Sequence, residues 1–269
     1  MSDTATQTQL EHAPGTFCWA ELATSDGAGA KKFYSEVFGW QADDMPMGDG
    51  MVYTMLNLNG KVVGALYEKG ETMKEVPTHW ASYVSVTSAD EIAAKAKALG
   101  ATVVMEPFDV MDAGRMAVIT DPTGATFNIW QSKASKGYDV KGEPNTVCWN
   151  ELLTNDTAKA TEFYSKLFGW TTKSDAGAMP YTEFKNGDEH VGGMMQIRPD
   201  MGPVPPHWGI YMAVDDCDAT AQKATSLGAQ TYVPPMDIEK VGRFSTMADP
   251  QGGVFSIIKL DMSHHENKQ

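Results

Sequence analysis

One stretch of the chain, which decides the fold, occurs twice. Residues 18–40 read CWAELATSDGAGAKKFYSEVFGW, and residues 148–170 read CWNELLTNDTAKATEFYSKLFGW, at an offset of 130. After a two-residue deletion the match continues at an offset of 128, as from Tyr53 to Tyr181. A period of more than a hundred residues is too long for a solenoid unit, so the sequence predicts two duplicated domains.

The repeat also predicts the domain boundaries. We expect the first domain at residues 14–131 and the second at residues 146–260. The stretch between them, residues 132–145 (SKASKGYDVKGEPN), is polar and rich in Gly and Lys, which is typical of a linker. The last residues, 261–269, are predicted to be a loose tail, so we interpret His264-His265 as part of that tail and not as a metal site.

Each half has the same predicted order of elements. The segment FCWAELA alternates as a strand does, and Asp26 can cap a following helix that Gly39 ends. Three strand candidates follow, and HWASYVSV then begins a second series. In that series Ser88 and Glu91 form a capping box, and three further strands follow the helix. Each half is therefore predicted as two βαβββ units, which makes an α+β fold.

Composition and charge exclude several classes of protein. The chain is 42% hydrophobic, and its 21 basic residues stand against 35 acidic ones, giving a net charge of −14. Such a surface repels phosphate backbones and anionic lipid, so we expect neither nucleic acid nor membrane partners. The apolar runs are strand-sized, no signal peptide pattern is visible, and three cysteines do not make a disulfide scaffold. These features predict a cytoplasmic protein.

Three motifs together suggest a family. The helix end FYxxxFGW, the strand that opens with His after a Pro-rich loop, and the DPxG hairpin resemble the vicinal oxygen chelate superfamily. That superfamily contains glyoxalase I, extradiol dioxygenases and bleomycin-resistance proteins. The resemblance covers nearly all of residues 16–131 and 146–260, and the tandem layout looks most like duplicated glyoxalase-like proteins. It implies that each domain forms a curved, cup-like mixed sheet whose concave face holds a ligand.

The metal-using members of this family take ligands from the first, fourth, fifth and eighth strands. The matching positions hold indoles on the first strand, an amide or hydroxyl on the eighth, and an imidazole only on the fifth: Trp19, Trp149, Asn128, Ser256, His79 and His207. A single imidazole without further ligands does not hold a metal ion tightly. We therefore predict no tightly bound metal and no cofactor.

Strand alternation predicts which side chains share each cup with the indoles. Phe17 and Glu21 point the same way as Trp19. The remaining predicted cup residues are Tyr83, Arg115 and Trp130 in the first half and Glu151, Tyr211 and Arg243 in the second. Aromatic walls with a few converging polar groups are typical of small-molecule sites, so we expect a small-molecule ligand.

Glu21 and Glu151 are the candidate catalytic residues. A carboxyl beside an indole in a partly dry cup has a raised pKa, and it can then act as a general base or acid. The alternative is a structural carboxyl bonded to Arg, Tyr or Trp. Either the arginines anchor a ligand or they neutralise the buried carboxyls. The two histidines either contact a ligand or simply lie at a strand edge.

Two functions follow from this resemblance, and a third ranks behind them. The first is a glyoxalase-like lyase or isomerase that acts on a small carbonyl compound or thiol conjugate. The second is a metal-free protein that binds a small molecule or confers antibiotic resistance by sequestering it. A dioxygenase-like activity comes third, because its set of two histidines and one carboxylate is not found here. Since one chain supplies both modules, we expect a monomer or a loose homodimer.

Overall fold

The computed structural model describes residues 10–48, 50–175 and 180–262, so His264-His265 lie outside the described residues. The first half contains eight strands and two helices: β1 (Phe17–Thr24), α1 (Gly27–Phe38), β2 (Gln41–Gly48), β3 (Met51–Leu58), β4 (Lys61–Glu68), β5 (His79–Ser85), α2 (Ala89–Ala98), β6 (Thr102–Val110), β7 (Gly114–Thr120) and β8 (Thr126–Ser132). This is the predicted βαβββ order, repeated.

The second half repeats the same elements. They are β9 (Val147–Thr154), α3 (Thr157–Phe168), β10 (Thr171–Asp175), β11 (Tyr181–Asn186), β12 (Glu189–Gln196), β13 (His207–Ala213), α4 (Cys217–Ser226), β14 (Gln230–Ile238), β15 (Gly242–Ala248) and β16 (Val254–Leu260). Across the described part of the chain, no helix combines the length and the apolar character that a membrane span requires.

Each half forms its own mixed sheet of eight strands. The strand order is β2-β3-β4-β1-β5-β8-β7-β6 in the first half and β10-β11-β12-β9-β13-β16-β15-β14 in the second. The first strand of each half pairs in parallel with the fourth and antiparallel with the fifth. Each sheet has two edge strands, so neither closes into a barrel. The prediction of two tandem α+β domains is confirmed.

Local signals in the sequence set the helix boundaries as predicted. The Asp26 carboxylate accepts a hydrogen bond from the Gly29 amide at 2.9 Å, and Gly39 ends α1 in the left-handed conformation, with φ of 74°. The Ser88 hydroxyl accepts from the Glu91 amide at the start of α2. These caps satisfy amide groups that have no partner within the helix.

The two hydrophobic cores each contain residues from both halves. Helix α1 packs against α4, and α3 packs against α2. The hydroxyl of Tyr34, on α1, donates to Asp249 at 2.8 Å, and the hydroxyl of Tyr164, on α3, donates to Asp121 at the same distance. The helices of each repeat therefore help to complete the core of the other repeat.

Phe17 corrects one prediction from strand alternation. A β-bulge lies between Phe17 and Trp19, and the extra residue reverses the direction of the side chains that precede it. The Phe17 ring consequently packs between the halves, with its centroid 5.0 Å from that of Trp208 and 6.0 Å from that of Trp170. It does not share a face with Trp19.

The predicted polar linker, residues 132–145, is held closely against the first sheet. The Tyr138 amide donates to the Cys18 carbonyl oxygen at 2.9 Å, and the Asp139 amide donates to the Val62 carbonyl oxygen at the same distance. The Tyr138 side chain is only 1% exposed. Its backbone hydrogen bonds and one large buried aromatic side chain fix its path.

Candidate functional site

The sheet face that carries Trp19 is called here the first cup, and the face that carries Trp149 the second cup. In the first cup both oxygens of the Glu21 carboxyl accept hydrogen bonds from phenols. The Tyr83 hydroxyl donates to Oε1 at 2.5 Å, and the Tyr53 hydroxyl donates to Oε2 at 2.7 Å. The Trp19 indole in turn donates to the Tyr53 hydroxyl at 3.2 Å. The indole, the two phenols and the carboxyl thus form one connected network.

The second cup repeats this network. The Tyr211 hydroxyl donates to Glu151 Oε1 at 2.9 Å, and the Trp149 indole donates to the Tyr181 hydroxyl at 2.8 Å. Tyr181 also hydrogen-bonds to the Glu151 carboxyl. One Trp, one Glu and two Tyr recur at the corresponding positions, so the repeat preserves the polar centre of each cup.

Burial shifts the acidity of both carboxyls. Removal from water raises the pKa of Glu21 and of Glu151, and the hydrogen bonds from the tyrosines offset part of this rise because they favour the charged form. The groups that hydrogen-bond to the carboxyls are neutral: two phenols and the Trp19 indole at Glu21, and two phenols at Glu151. Each glutamate is therefore a buried acid that lacks a neutralising cation among those partners.

Arg115 and Arg243 lie on the opposite face, which corrects their predicted place in the cups. Met116 pairs with Trp130, so the neighbouring Arg115 faces away from the cup. There its guanidinium donates two 2.8 Å hydrogen bonds to Asp90 on α2. Arg243 makes the equivalent pair with Asp218, at 2.6 and 2.9 Å. Neither arginine neutralises a buried glutamate, because strand parity turns both towards the helices.

His79 and His207 lie on the cup faces, at the start of β5 and β13. In each ring Nδ1 is 2.9 Å from a proline carbonyl oxygen, of Pro77 and Pro205 respectively. A carbonyl oxygen only accepts, so Nδ1 carries a proton, and in a neutral ring Nε2 is then the acceptor. Burial lowers the pKa of His207, which favours the neutral imidazole. His207 Nε2 lies 3.8 Å from the position of a methyl group built on Gly209, beside Glu151.

The remaining predicted residues line the same two faces. Asn128 is buried on β8 directly beside Tyr83, and Ser256 holds the corresponding place beside Tyr211, where its hydroxyl is 2.8 Å from that of Thr246. The Trp130 ring meets Tyr83 edge-on, with centroids 6.3 Å apart. These side chains form the walls of the cups around the glutamates.

The donor groups in the cups do not fit the metal centre that the fold implies. Such a site needs several carboxylate or imidazole ligands around one ion. In residues 10–48, 50–175 and 180–262, no three His, Cys, Asp or Glu side chains come together as a metal site would require. The indoles of Trp19 and Trp149 only donate, and both glutamates already accept from phenols.

Tyr53 and Tyr181 are site residues that the sequence predictions missed. Both lie on strands next to the fourth strand of their half and reach the central glutamate. The signal for them was present, because the two tyrosines correspond to one another in the repeat. Alternation along one strand does not show which neighbouring strand supplies a partner, so that correspondence was not enough to place them.

Two family models match the chain, one in each half. The model described as Glyoxalase/Bleomycin resistance protein/Dioxygenase superfamily matches residues 16–129. The model described as Glyoxalase-like domain matches residues 146–258. The two matches reproduce the internal repeat.

Curated relatives also align with nearly the whole chain. The protein named "Putative glyoxylase CFP32" of Mycobacterium tuberculosis is 44% identical over 253 residues, covering 93% of this chain and 96% of its own length. The anthracycline biosynthesis protein DnrV of Streptomyces peucetius is 34% identical, with 92% of this chain and 94% of DnrV covered.

Solved structures share the fold at low sequence identity. The Mn(II)-bound glyoxalase of Novosphingobium aromaticivorans has a TM-score of 0.65 at 18% identity, covering 92% of this chain and 83% of that one. The 2,3-dioxygenase LapB of Pseudomonas sp. KL28 has a TM-score of 0.62 at 12% identity, covering 91% and 93%. With the match to the curated relatives, the repeated fold shows that this chain belongs to the glyoxalase/bleomycin resistance/dioxygenase group, the vicinal oxygen chelate superfamily, with two of its domains in tandem.

Proposed function

We propose that the protein is a glyoxalase-like lyase or isomerase that moves a proton on a small carbonyl compound or thiol conjugate without a tightly bound metal. The observation that supports this most strongly is the buried glutamate in each cup. It accepts hydrogen bonds from phenols, one of which accepts in turn from the cup's indole. Buried carboxyls with raised pKa values are common at catalytic sites, where they act as acids and bases near neutral pH.

The proposed step uses the carboxylate as a base. Glu151, or Glu21 in the first cup, takes the proton from a carbon next to the substrate carbonyl, and the electron pair of that C–H bond moves to the carbonyl oxygen. A phenol that donates to the carboxylate can turn to donate to this new oxyanion. The glutamate then returns the proton to the former carbonyl carbon, while the proton of the hydroxyl group on the first carbon moves to the oxyanion. The first carbon becomes the new carbonyl, so the atoms balance and no external oxidant is required.

Substitution of the glutamates tests this step. We would measure conversion of the methylglyoxal–glutathione hemithioacetal by Glu21→Gln, by Glu151→Gln and by the double variant, each in the presence of a chelator. Loss of a general base typically costs about 100-fold or more in rate, so the double variant is expected to lose at least that much. The midpoint of thermal unfolding is measured in parallel.

The structural alternative for these glutamates gives a different result. If the carboxyls only hold the tyrosines in place, the glutamine variants will unfold at much lower temperature and any loss of turnover will follow the loss of folded protein. Unchanged turnover in the folded double variant contradicts the proposal. Glu162→Gln is the matched control, because Glu162 lies on helix α3 with its side chain 66% exposed.

Binding without chemistry is the second candidate function, and the aromatic lining of the cups favours it. Indole and phenol rings surround each glutamate, which suits a flat hydrophobic ligand. One relative is named as an anthracycline biosynthesis protein. In a ligand screen by thermal shift, saturable stabilisation without any turnover supports this function and contradicts the first.

A further inference from the structure

The linker crosses one end of the first cup. On one side of the sheet, the Ser135 amide donates to the Ala113 carbonyl oxygen, and the Trp130 indole donates to the Ser135 carbonyl oxygen, both at 3.0 Å. On the other side, Tyr138 bonds to the backbone of Cys18. The path therefore runs from the β7–β8 side of the sheet to the β1–β4 side.

The phenol of Tyr138 lies on the indole of the first cup. Its ring centroid is 5.6 Å from that of Trp19, with the ring planes tilted by 41°, and the His12 and Tyr138 rings meet edge to face with centroids 6.1 Å apart. The Tyr138 hydroxyl is buried and has no hydrogen-bond partner among the described residues. The Tyr138 side chain therefore contributes to this site through the packing of its ring and not through a hydrogen bond.

The matching indole of the second cup is less covered. Trp19 is buried, with 8% of its surface exposed, whereas Trp149 is partly exposed, and the same difference separates Cys18 from Cys148. Within residues 10–48, 50–175 and 180–262, no aromatic ring contacts Trp149 as Tyr138 contacts Trp19.

The two cups also differ in the row of residues that crosses the sheet through the glutamate. In the first cup this row is Met55, Ala65, Glu21 and Ala81. In the second cup it is Glu183, Gly193, Glu151 and Gly209. The second row has smaller side chains beside its glutamate and a second carboxyl.

Two members of the second row shape its site. The atoms nearest to a methyl group on Gly209 would be the Glu151 carbonyl oxygen and the His207 ring, at 3.8–3.9 Å, so there is room for a methyl group at this position. Glu183 is half-exposed and lies 3.2 Å from His190 Nδ1. This cup therefore has both room and hydrogen-bond acceptors for a ligand.

We propose that Tyr138 closes the first cup as a built-in aromatic occupant and that the chain binds one external ligand, in the second cup. That ligand is a small aromatic molecule that stacks on Trp149 and donates hydrogen bonds to the carboxyls of Glu151 and Glu183. This assignment rests on the proposed function only for the premise that a cup binds a small molecule.

The probe for this assignment is p-cresol, which is the side chain of tyrosine itself. We would titrate it into the full chain and follow the indole N–H resonances of Trp19 and Trp149, assigned with Trp→Phe variants. In the unmodified protein we expect one equivalent to bind, with a shift of the Trp149 resonance and none at Trp19. Tyr138→Phe keeps the ring and removes the unpartnered hydroxyl, so it is expected to behave identically.

Tyr138→Ala opens the first cup. This variant is expected to bind a second equivalent, to show a shift at Trp19, and to be stabilised against heating by p-cresol more than the unmodified protein is. A cavity that matches a lost ring is known to accept a small aromatic guest. If this variant does not fold, the unmodified chain and Tyr138→Phe still decide which indole responds.

Several results would overturn the assignment. These are a shift at Trp19 in the unmodified protein, no shift at Trp149 in it, or no second equivalent in folded Tyr138→Ala. The readout does not depend on turnover, so it can succeed while the proton transfer proposal fails. Conversely, turnover that requires Glu21 and not Glu151 would contradict the second-cup assignment and leave the chemistry intact.

Discussion

Removal of the Tyr34 hydroxyl tests whether the two halves stabilise each other. This hydroxyl donates to Asp249 in the other half at 2.8 Å and accepts from the Trp80 indole at 2.9 Å. Tyr34→Phe leaves a buried carboxyl without one donor and a buried N–H without an acceptor. Each unsatisfied buried group costs about 1–3 kcal/mol, so we expect a loss of about 2–6 kcal/mol in the free energy of unfolding.

Chemical denaturation at several urea concentrations measures this loss, and a thermal scan gives a second readout. At about 2 °C per kcal/mol for a chain of this size, the unfolding midpoint should fall by about 4–12 °C. Tyr164→Phe, its counterpart in the repeat, is expected to match it, because Tyr164 bonds to Asp121 and Trp208 in the same way. A change below about 0.5 kcal/mol in both variants, similar to that of a surface substitution, would refute the argument.

Three further predictions concern the cups and the contact between the halves. Glu151→Gln removes a group whose pKa is raised from 4.5 by burial, so the folded state holds this proton more tightly than the unfolded chain does. The stability of the unmodified protein relative to this variant should therefore fall as pH rises above about 4.5, and it should level off above the folded-state pKa. Urea titrations at several pH values measure this difference, and a difference that grows with pH contradicts the prediction. Phe17→Ala should cost about 3–5 kcal/mol by the same assay, because the ring packs between Trp170 and Trp208, and a loss below 1 kcal/mol would argue against that packing. Gly193→Ala should lower the free energy of unfolding by about 1–3 kcal/mol, since its methyl group would lie 1.9 Å from the Tyr181 hydroxyl. In Gly209→Ala the nearest atom would be 3.8 Å away, so this variant should be nearly neutral. Equal effects of the two variants would contradict the described geometry.

The elements of the fold could be predicted because their signals are local and occur twice. The cap at Asp26, the stop at Gly39 and the capping box at Ser88 depend on neighbours a few residues away, and each lies where the sequence indicated. The duplication then gave an independent reading of every strand.

The side of a strand was harder to predict than the strand itself. Alternation placed Trp19 and Glu21 on one face, and the hydrogen bonds to Tyr53 and Tyr83 support that placement. It failed at Phe17, because a bulge adds one residue without leaving a signal in the sequence. For Arg115 the pairing with β8 determined the face, and that register could not be read from one strand alone.

Contacts between distant segments were beyond sequence reasoning. Nothing in the polar composition of residues 132–145 indicated that one tyrosine would be buried against Trp19. Long-range packing of this kind depends on the shape of the whole first sheet, which no local sequence pattern specifies.

The shared cores have a consequence for how the two copies of the domain can diverge. Since α1 and α3 each complete the core of the opposite repeat, a copy that stops binding ligand cannot simply be lost or allowed to decay. Its helices and the strand residues that face them remain under selection because they complete the core of the other copy. The residues on its own cup face are free to change. Duplication in this arrangement therefore allows one cup to become part of the scaffold while the other remains free to bind a ligand.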